Sequence, residues 1–280
     1  MTYKTILVHC NDKRRVGRIV GSAVELADQF QAHLIGLSVT PPVLVVPTGM
    51  PGTPDTMVID ERCQAYRRDN PAMKAAFAAA IEGRSFTSEW REEDAGSSTV
   101  ADVAVRHANG ADLIVAAQRD PQWSGSTWLD VADRLTVEAG RPVLIVPNEG
   151  VHSGIGTRVV VAWNGRREAT RAAFDALPLL QRAKDVKVLW VDPQSSGEPT
   201  RDFAATDICS ALARHGVTCE AVEVASDGNV GRTLLSRAIE HRADLLVMGC
   251  YGRSRLSEFV FGGATRDTLK HMTIPVLMSH

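Results

Sequence analysis

Short apolar runs alternate with longer amphipathic stretches along the chain. In the second half, residues 159–163 and 186–191 are continuous apolar runs, which are typical of strands buried on both faces. Between them, residues 169–180 place alanine and leucine at helical spacing on one face. Strands that alternate with helices in this way predict a parallel sheet with helices on both faces.

The same periodicities predict the remaining elements of both halves. Later in the second half we expect helices over 200–215, 229–241 and 264–271, and strands over 217–224, 245–248 and 274–278. In the first half we expect strands over 5–10, 33–39, 86–92, 113–117 and 143–146, with helices over 15–30, 58–81, 100–108 and 130–138.

The two halves also share short sequences at a nearly constant separation. The sequence Ala-Asp-Leu-Ile-Val at 111–115 returns as Ala-Asp-Leu-Leu-Val at 243–247, and Pro142-Val-Leu returns as Pro275-Val-Leu. A unit of this size repeated once indicates a domain duplication. We therefore predict domains at 1–150 and 155–280, with an insertion in the first copy rich in proline, glycine and threonine, at 41–55.

Composition narrows the functional classes. The chain has 280 residues, 44% of them hydrophobic, and a net charge of −2, which gives no electrostatic reason to expect nucleic-acid binding. The block Lys13-Arg14-Arg15 is interpreted as a solvated helix face. No apolar run is long enough for a membrane span, so we expect no membrane partner.

Cysteine and histidine usage adds two further expectations. The five cysteines are odd in number and lack C-x-x-C spacing, which argues against a disulfide framework and for a reducing, cytoplasmic location. The eight histidines show no zinc-ligand spacing, so no metal site is predicted.

The glycine-rich stretch after the fourth strand of the second half has the chemistry of a phosphate loop. Gly249 and Gly252 let the backbone come close to phosphate oxygens, and Gly262-Gly263 lead into a helix whose first N–H groups can bind an anion. Thr265 adds a hydroxyl, while Arg253 adds positive charge.

The spacing G-x2-G-x9-G, met by Gly249, Gly252 and Gly262, resembles the nucleotide motif of the universal stress protein family. The resemblance covers both halves. It implies two tandem flavodoxin-like, Rossmann-like domains, each a five-stranded parallel sheet of order 3-2-1-4-5 with helices on both faces. It also implies pairing through the last strand, either between the two domains or in a homodimer, and in many members bound ATP.

Carried over residue by residue, the resemblance implies a complete adenine-nucleotide site. Ala162 and Asn164 would lie near adenine and ribose, and Val191 would offer backbone groups to the adenine edge. The phosphates, with or without magnesium, would contact Gly249, Gly252, Arg253, Gly262, Gly263 and Thr265.

Two positions depart from the family pattern. Gly263 stands where nucleotide binders usually have serine or threonine, and Asn164 stands where they usually have aspartate. We expect a non-enzymatic, stress-sensing protein that binds ATP in its second domain, with slow hydrolysis compatible with that role. The alternative is an interaction module that has lost the nucleotide. An enzyme of the related nucleotide α-hydrolase scaffold is disfavoured, because no S-G-G-x-D-S-like loop follows either first strand.

The first copy lacks the features of the phosphate loop. Ala117 replaces the first glycine, Pro121 removes an N–H donor, and no Gly-Gly pair precedes the last helix. We expect a degenerate copy that does not hold a triphosphate. The alternative is a different ligand, in an apolar cavity lined by Trp123, Trp128 and residues 41–47.

Two further motifs are given structural interpretations. Cys250 is expected to be a plain small residue in preference to a redox thiol. The sequence Gly228-Asn-Val-Gly lacks the P-loop lysine and spacing, so it is interpreted as a helix start capped by Asp227.

Overall fold

The computed structural model describes residues 2–42, 57–191, 205–226, 228–251 and 263–280, and for residues 57–62 it describes the backbone alone. The elements of the first half are β1 Thr5–His9, α1 Val16–Phe30, β2 His33–Thr40, α2 Met57–Ile81, β3 Ser88–Asp94, α3 Val100–Ala108, β4 Leu113–Ala117, α4 Ser126–Leu129, α5 Ala132–Glu138 and β5 Val143–Val146.

The second half repeats this order. Its elements are β6 Arg158–Trp163, α6 Arg167–Asp175, α7 Leu177–Leu180, β7 Asp185–Val191, α8 Ala205–Ala213, β8 Glu220–Val224, α9 Val230–Glu240, β9 Leu245–Gly249, α10 Gly263–His271 and β10 Val276–Ser279. The predicted alternation of strands and helices is confirmed in both halves.

Each half forms a parallel sheet, and the two sheets join into one. The strand order is β3-β2-β1-β4-β5-β10-β9-β6-β7-β8, so each half has the expected order 3-2-1-4-5. The last strands β5 and β10 pair antiparallel, with Leu144 opposite Leu277. The expected pairing through the last strand therefore occurs within one chain, and the strands of the two halves run in opposite directions.

The central strands are buried and the outer strands are not. Ile6, Leu7 and Val8 of β1 are fully buried, whereas the edge strand β3 carries the polar sequence Ser-Glu-Trp-Arg-Glu-Glu-Asp. The other edge strand, β8, is similarly half exposed. Uniformly apolar strands are thus an accurate description of the inner strands alone. Charges on the outer strands oppose edge-to-edge pairing with other molecules.

The recurring Ala-Asp-Leu sequence has one structural role in both halves. The Asp112 carboxylate accepts hydrogen bonds from the backbone N–H groups of Lys4 and Thr5. The Asp244 carboxylate likewise accepts from the N–H groups of residues 156–158. Each aspartate therefore fastens the start of its fourth strand to the chain entering its central strand.

The two halves contact one another beyond the sheet. The Tyr3 hydroxyl donates to the carbonyl of Asp175 at 2.7 Å, and Gln118 Nε2 donates to the carbonyl of Leu269 at 2.6 Å. Burial raises the pKa of the Asp133 carboxyl in the first half, and the charge of Arg119 and the Tyr251 hydroxyl of the second half oppose that rise. The buried hydrophobic residues of both halves form one continuous core.

Two local differences from the predicted elements have clear causes. The predicted helix over 169–180 is divided at Ala176, where Pro178 occupies the first turn of α7. The helix predicted over 130–138 begins at Ala132, and the short helix α4 precedes it. None of the helices in the described ranges combines the length and the apolar character needed to cross a membrane.

Candidate functional site at the carboxyl ends of the strands

The predicted nucleotide site lies where the parallel strands of the second half end. We call this the second carboxyl edge, formed by the ends of β6, β7 and β9 together with the start of α10. Ligands of open parallel sheets bind at such edges, where the strand order reverses. Three of the predicted site residues, Gly252, Arg253 and Gly262, lie outside the described residues.

Three predicted residues come together at the ends of β6 and β7. Ala162 and Val191 are half-buried in adjacent strands, and Asn164 is exposed just beyond β6. The Asn164 side-chain oxygen accepts a hydrogen bond from the N–H of Arg166 at 3.1 Å, which turns the chain into α6. The structure thus brings these three residues to one edge, as the resemblance implies.

Gly249 has a packing role at the end of β9. A Cβ at this position would lie 2.4 Å from the carbonyl carbon of Glu168 and 2.5 Å from the nitrogen of Ala169. These are backbone atoms of the first turn of α6, so they cannot move aside cheaply. Gly249 allows helix α6 to lie directly against β9, and its contact with a phosphate stays a prediction.

Gly263 opens α10 in a different environment. Among the described residues, no heavy atom lies within 4 Å of the position a Cβ would take. The N–H groups of the first turn of a helix have no partner within the helix and carry its positive partial charge. Thr265 follows in the same turn and is only 5% exposed. The start of α10 therefore has both the space and the donors for an anion.

The equivalent edge of the first half is filled by an arginine. We call this edge the first carboxyl edge. The residues that fill it form a cluster, which we call the Arg15 cluster: Asp12, Arg15, Gln118, Asp130 and Asn148. Arg15 precedes α1, and its side chain is 7% exposed. Its guanidinium donates to Asp12 at 2.7 Å, to Asp130 at 2.6 Å, to the Asn148 side chain at 2.9 Å and to the Gln118 carbonyl at 2.8 Å.

The acid in this cluster occupies the position of the open glycine. Asp130 and Gly263 both stand 13 residues before the first residue of the last strand of their half. Asp130 therefore places a carboxylate at the position where the second half has Gly263, which has open space around it among the described residues, and Arg15 supplies the matching cation. The first carboxyl edge thus contains its own anion and its own cation.

The interpretation of Lys13-Arg14-Arg15 as a solvated helix face was wrong for Arg15. The Lys13 and Arg14 side chains are each 53% exposed, but Arg15 is buried among acceptors that lie 103 to 133 residues further along the chain. A cluster joined over such separations has no local sequence pattern.

A cavity of about 530 Å³ lies beside the Arg15 cluster, and we call it the Trp cavity. Trp123 and Trp128 line it, together with Pro41 and Pro42. This lining agrees with the alternative prediction for the first half, an apolar cavity for a different ligand. The rest of that predicted lining, residues 43–47, lies outside the described residues. Helix α2 contributes Ala65, Tyr66 and Met73, which sequence reasoning missed because helix periodicity does not show which surface a helix faces.

A comparison of the sequence with known families agrees with this architecture. The profile of the universal stress protein family matches residues 2–147 and 157–280, which is nearly the whole chain. The chain belongs to the universal stress protein family. The two matches correspond to the two halves of the ten-stranded sheet.

Solved structures show the same fold over the full length of this universal stress protein. A universal stress protein from Archaeoglobus fulgidus DSM 4304 has a TM-score of 0.68 and 15% identity, covering 99% of this chain and 96% of that one. A putative universal stress protein from Pseudomonas aeruginosa UCBPP-PA14 has a TM-score of 0.52 and 17% identity, covering 99% and 93%. A comparison with curated proteins gave no match.

A buried acid at the second carboxyl edge was not predicted. Glu168 lies in the first turn of α6, its side chain is 10% exposed, and it pairs with Arg167 at 3.3 Å. Acids are common in the first turn of helices because they complement the helix dipole. No feature of the sequence therefore distinguishes Glu168 from an ordinary helix start.

The two structural interpretations made from the sequence can be compared directly with the structure of this universal stress protein. Cys250 is 1% exposed, and burial raises the pKa of its thiol, which agrees with a plain small residue and not with an activated thiol. The motif after Gly228 does begin a helix, α9, but the capping side chain is Asn229, which accepts from the N–H of Arg232 at 2.9 Å. The predicted cap, Asp227, lies outside the described residues.

Proposed function

We propose that the second carboxyl edge binds one adenine nucleotide, ATP with magnesium, and that the protein uses it for sensing in a stress response and not for catalysis. The observation that carries this proposal is the difference between Asp130 and Gly263. The position equivalent to Gly263 carries a carboxylate paired with Arg15 in the first half, whereas no atom of the described residues lies within 4 Å of a Cβ at Gly263 in the second.

The residues at the second carboxyl edge fit a nucleotide. The start of α10 offers backbone N–H donors and the Thr265 hydroxyl, while Asn164 is exposed beside the strand ends. The nearby Glu168 carboxylate adds negative charge, which is why we include magnesium: when bound, it neutralises part of the phosphate charge. These groups bind and orient a ligand. Binding and orienting a nucleotide is the chemistry that the proposed role as a sensor requires.

The first experiment is a denaturing extraction of freshly purified protein, with chromatography of the released nucleotide, followed by calorimetric titration with Mg-ATP. We expect one nucleotide per chain. Two per chain would show that the Arg15 cluster does not exclude a triphosphate. The absence of binding, with no rise in melting temperature on adding Mg-ATP, would favour the interaction module.

Substitutions at Gly263 locate the site. Gly263→Asp introduces the acid of the first half and should weaken Mg-ATP binding at least about 100-fold, because a carboxylate would occupy the anion position. Gly263→Ser restores the hydroxyl usual in the family and should strengthen binding about tenfold or more, since a hydrogen bond to a charged group contributes about 1.5–3 kcal/mol. Gly263→Ala is the matched control and should leave the affinity nearly unchanged. Equal affinities for all three variants would remove α10 from the site.

A further inference from the structure

We propose that the Trp cavity of the first half binds a small uncharged aromatic compound carrying a hydrogen-bond acceptor such as a ketone, and that Asn11 donates to that acceptor. The cavity volume of about 530 Å³ is in the range of small-molecule sites, about 300–1,000 Å³. The Arg15 cluster occupies the neighbouring carboxyl edge, so this ligand has no charged phosphate tail.

The unsatisfied donor is the side-chain amide of Asn11. The residue is 5% exposed and lines the Trp cavity. Its Oδ1 faces the Tyr66 hydroxyl at 3.1 Å and the Val39 N–H at 3.4 Å, which fixes the orientation of the amide. Its Nδ2 is buried and has no hydrogen-bond partner among the described residues. A buried donor without a partner is costly, so a ligand acceptor at this point would bind favourably.

The charges around the cavity are already paired with one another. Lys13 Nζ contacts Asp69 at 2.6 Å, and Arg14 contacts Asp12 at 2.9 Å. Asp12 also accepts from Arg15. Since burying an unpaired charge would be unfavourable, this lining selects an uncharged ligand.

The aromatic wall is formed in advance. The guanidinium groups of Arg15 and Arg14 lie over the Trp123 ring, at 4.7 and 5.1 Å from its centroid. Gly125 admits the same indole, because a Cβ there would lie 2.5 Å from it. Trp128 also lines the cavity and is 42% exposed, so apolar ring surface is available to a ligand. These features favour a flat aromatic ligand that covers the exposed indole.

The test uses prodan, an uncharged naphthalene with a dimethylamino group and a ketone, whose emission shifts to the blue in an apolar site. We expect one prodan per chain, with quenching of tryptophan fluorescence. Asn11→Asp keeps Oδ1 and replaces the Nδ2 donor by a second oxygen. At alkaline pH, where this carboxyl group is ionised and can only accept, prodan should bind about tenfold more weakly. N,N-dimethylnaphthylamine, which lacks the ketone, should bind the wild type and this variant equally.

Matched variants distinguish the contribution of the Asn11 donor from that of the volume of the Trp cavity. Asn164→Asp changes the equivalent asparagine of the second half and should leave prodan binding unchanged. Ala65→Phe fills the cavity from α2 while keeping Asn11 in the sequence and should abolish binding, whereas Ala75→Phe, at an exposed position of α2, should have no effect. Circular dichroism confirms that each variant is folded.

The outcomes are independent of nucleotide binding. Gly263→Asp should bind prodan as the wild type does, even if Mg-ATP binding is lost or was never present. The proposal is overturned if the wild type does not bind prodan, or if Ala65→Phe binds it normally. A loss confined to Asn164→Asp would place the aromatic site in the second half, and equal binding of prodan by the wild type and Asn11→Asp would remove the amide from it.

Discussion

The two halves of this universal stress protein share a fold and differ most at their carboxyl edges. Both use an aspartate, Asp112 or Asp244, to hold the start of the fourth strand, and both have the strand order 3-2-1-4-5. Yet Asp130 and Arg15 fill the first edge, while in the described part of the second edge no atom lies within 4 Å of a Cβ at Gly263. A duplicated scaffold can therefore close one anion site by supplying both charges from its own chain.

The closed edge shows the electrostatics of a satisfied buried cluster. Burial alone would raise the pKa of Asp12, but hydrogen bonds from Arg14 and Arg15 hold that pKa below its usual value. Buried charges are tolerated when partners satisfy them, and removal of one partner leaves the others uncompensated. The cluster is thus stable as a unit and sensitive to the loss of any member.

The strongest test of this comparison removes the central cation. Arg15→Ala leaves Asp12 and Asp130 buried without their shared partner, so the free energy of unfolding should fall by about 3–5 kcal/mol. Urea denaturation measures the change. Arg166→Ala is the matched control, because Arg166 precedes α6 as Arg15 precedes α1 but is exposed, and it should change stability by less than about 0.5 kcal/mol. Similar losses in the two variants would contradict the contrast between the edges.

The next test concerns the two glycines of the second edge. Gly249→Ala places a Cβ against the backbone of α6 and should lower the free energy of unfolding by about 1–3 kcal/mol. Gly263→Ala meets open space and should be neutral or slightly stabilising. Thermal melts of both variants without nucleotide measure the difference. An unchanged melting temperature in Gly249→Ala would show that α6 moves away from β9 at little cost.

The sequence predicted the inner strands closely because their apolar runs and the repeat are local signals. The strands at 113–117 and 143–146 match the structure residue for residue. Helix boundaries were less accurate where a side chain serves a distant partner: Asp130 was placed in a helix, but it precedes α5 and accepts from Arg15.

The resemblance placed several predicted site residues correctly in the topology. Ala162 and Asn164 lie at or just beyond the end of β6, Val191 ends β7, Gly249 ends β9, and Gly263 and Thr265 lie in the first turn of α10, while their contact with a nucleotide stays a prediction. The Arg15 cluster and the Asn11 donor were missed, since both depend on contacts between residues far apart in the chain. Periodicity reports which residues are buried on one element, and it does not report which buried polar groups meet.

The last test compares His9 with its counterpart Ala162, since each stands three residues after the first residue of its central strand that pairs with the fourth strand of its half. Burial, with the nearby Arg15 charge, lowers the pKa of His9 to about 3. The unfolded chain, with a histidine pKa near the ordinary 6.5, then binds a proton that the native state does not. Stability should be full above pH 6.5 and should fall as the pH drops toward 3, by about 1.4 kcal/mol per pH unit.

Replacing His9 by alanine, the residue at the equivalent position of the second half, isolates the contribution of this histidine to the pH dependence of stability. His9→Ala should be less stable than the wild type near neutral pH because it leaves a small cavity, but its stability should fall less steeply between pH 6.5 and acid conditions. Urea denaturation across that range measures both slopes, and NMR of the ring protons shows directly whether His9 stays neutral in the native state. Identical slopes for the two proteins would mean that His9 gains a proton without unfolding, so that water reaches the first edge despite the Arg15 cluster.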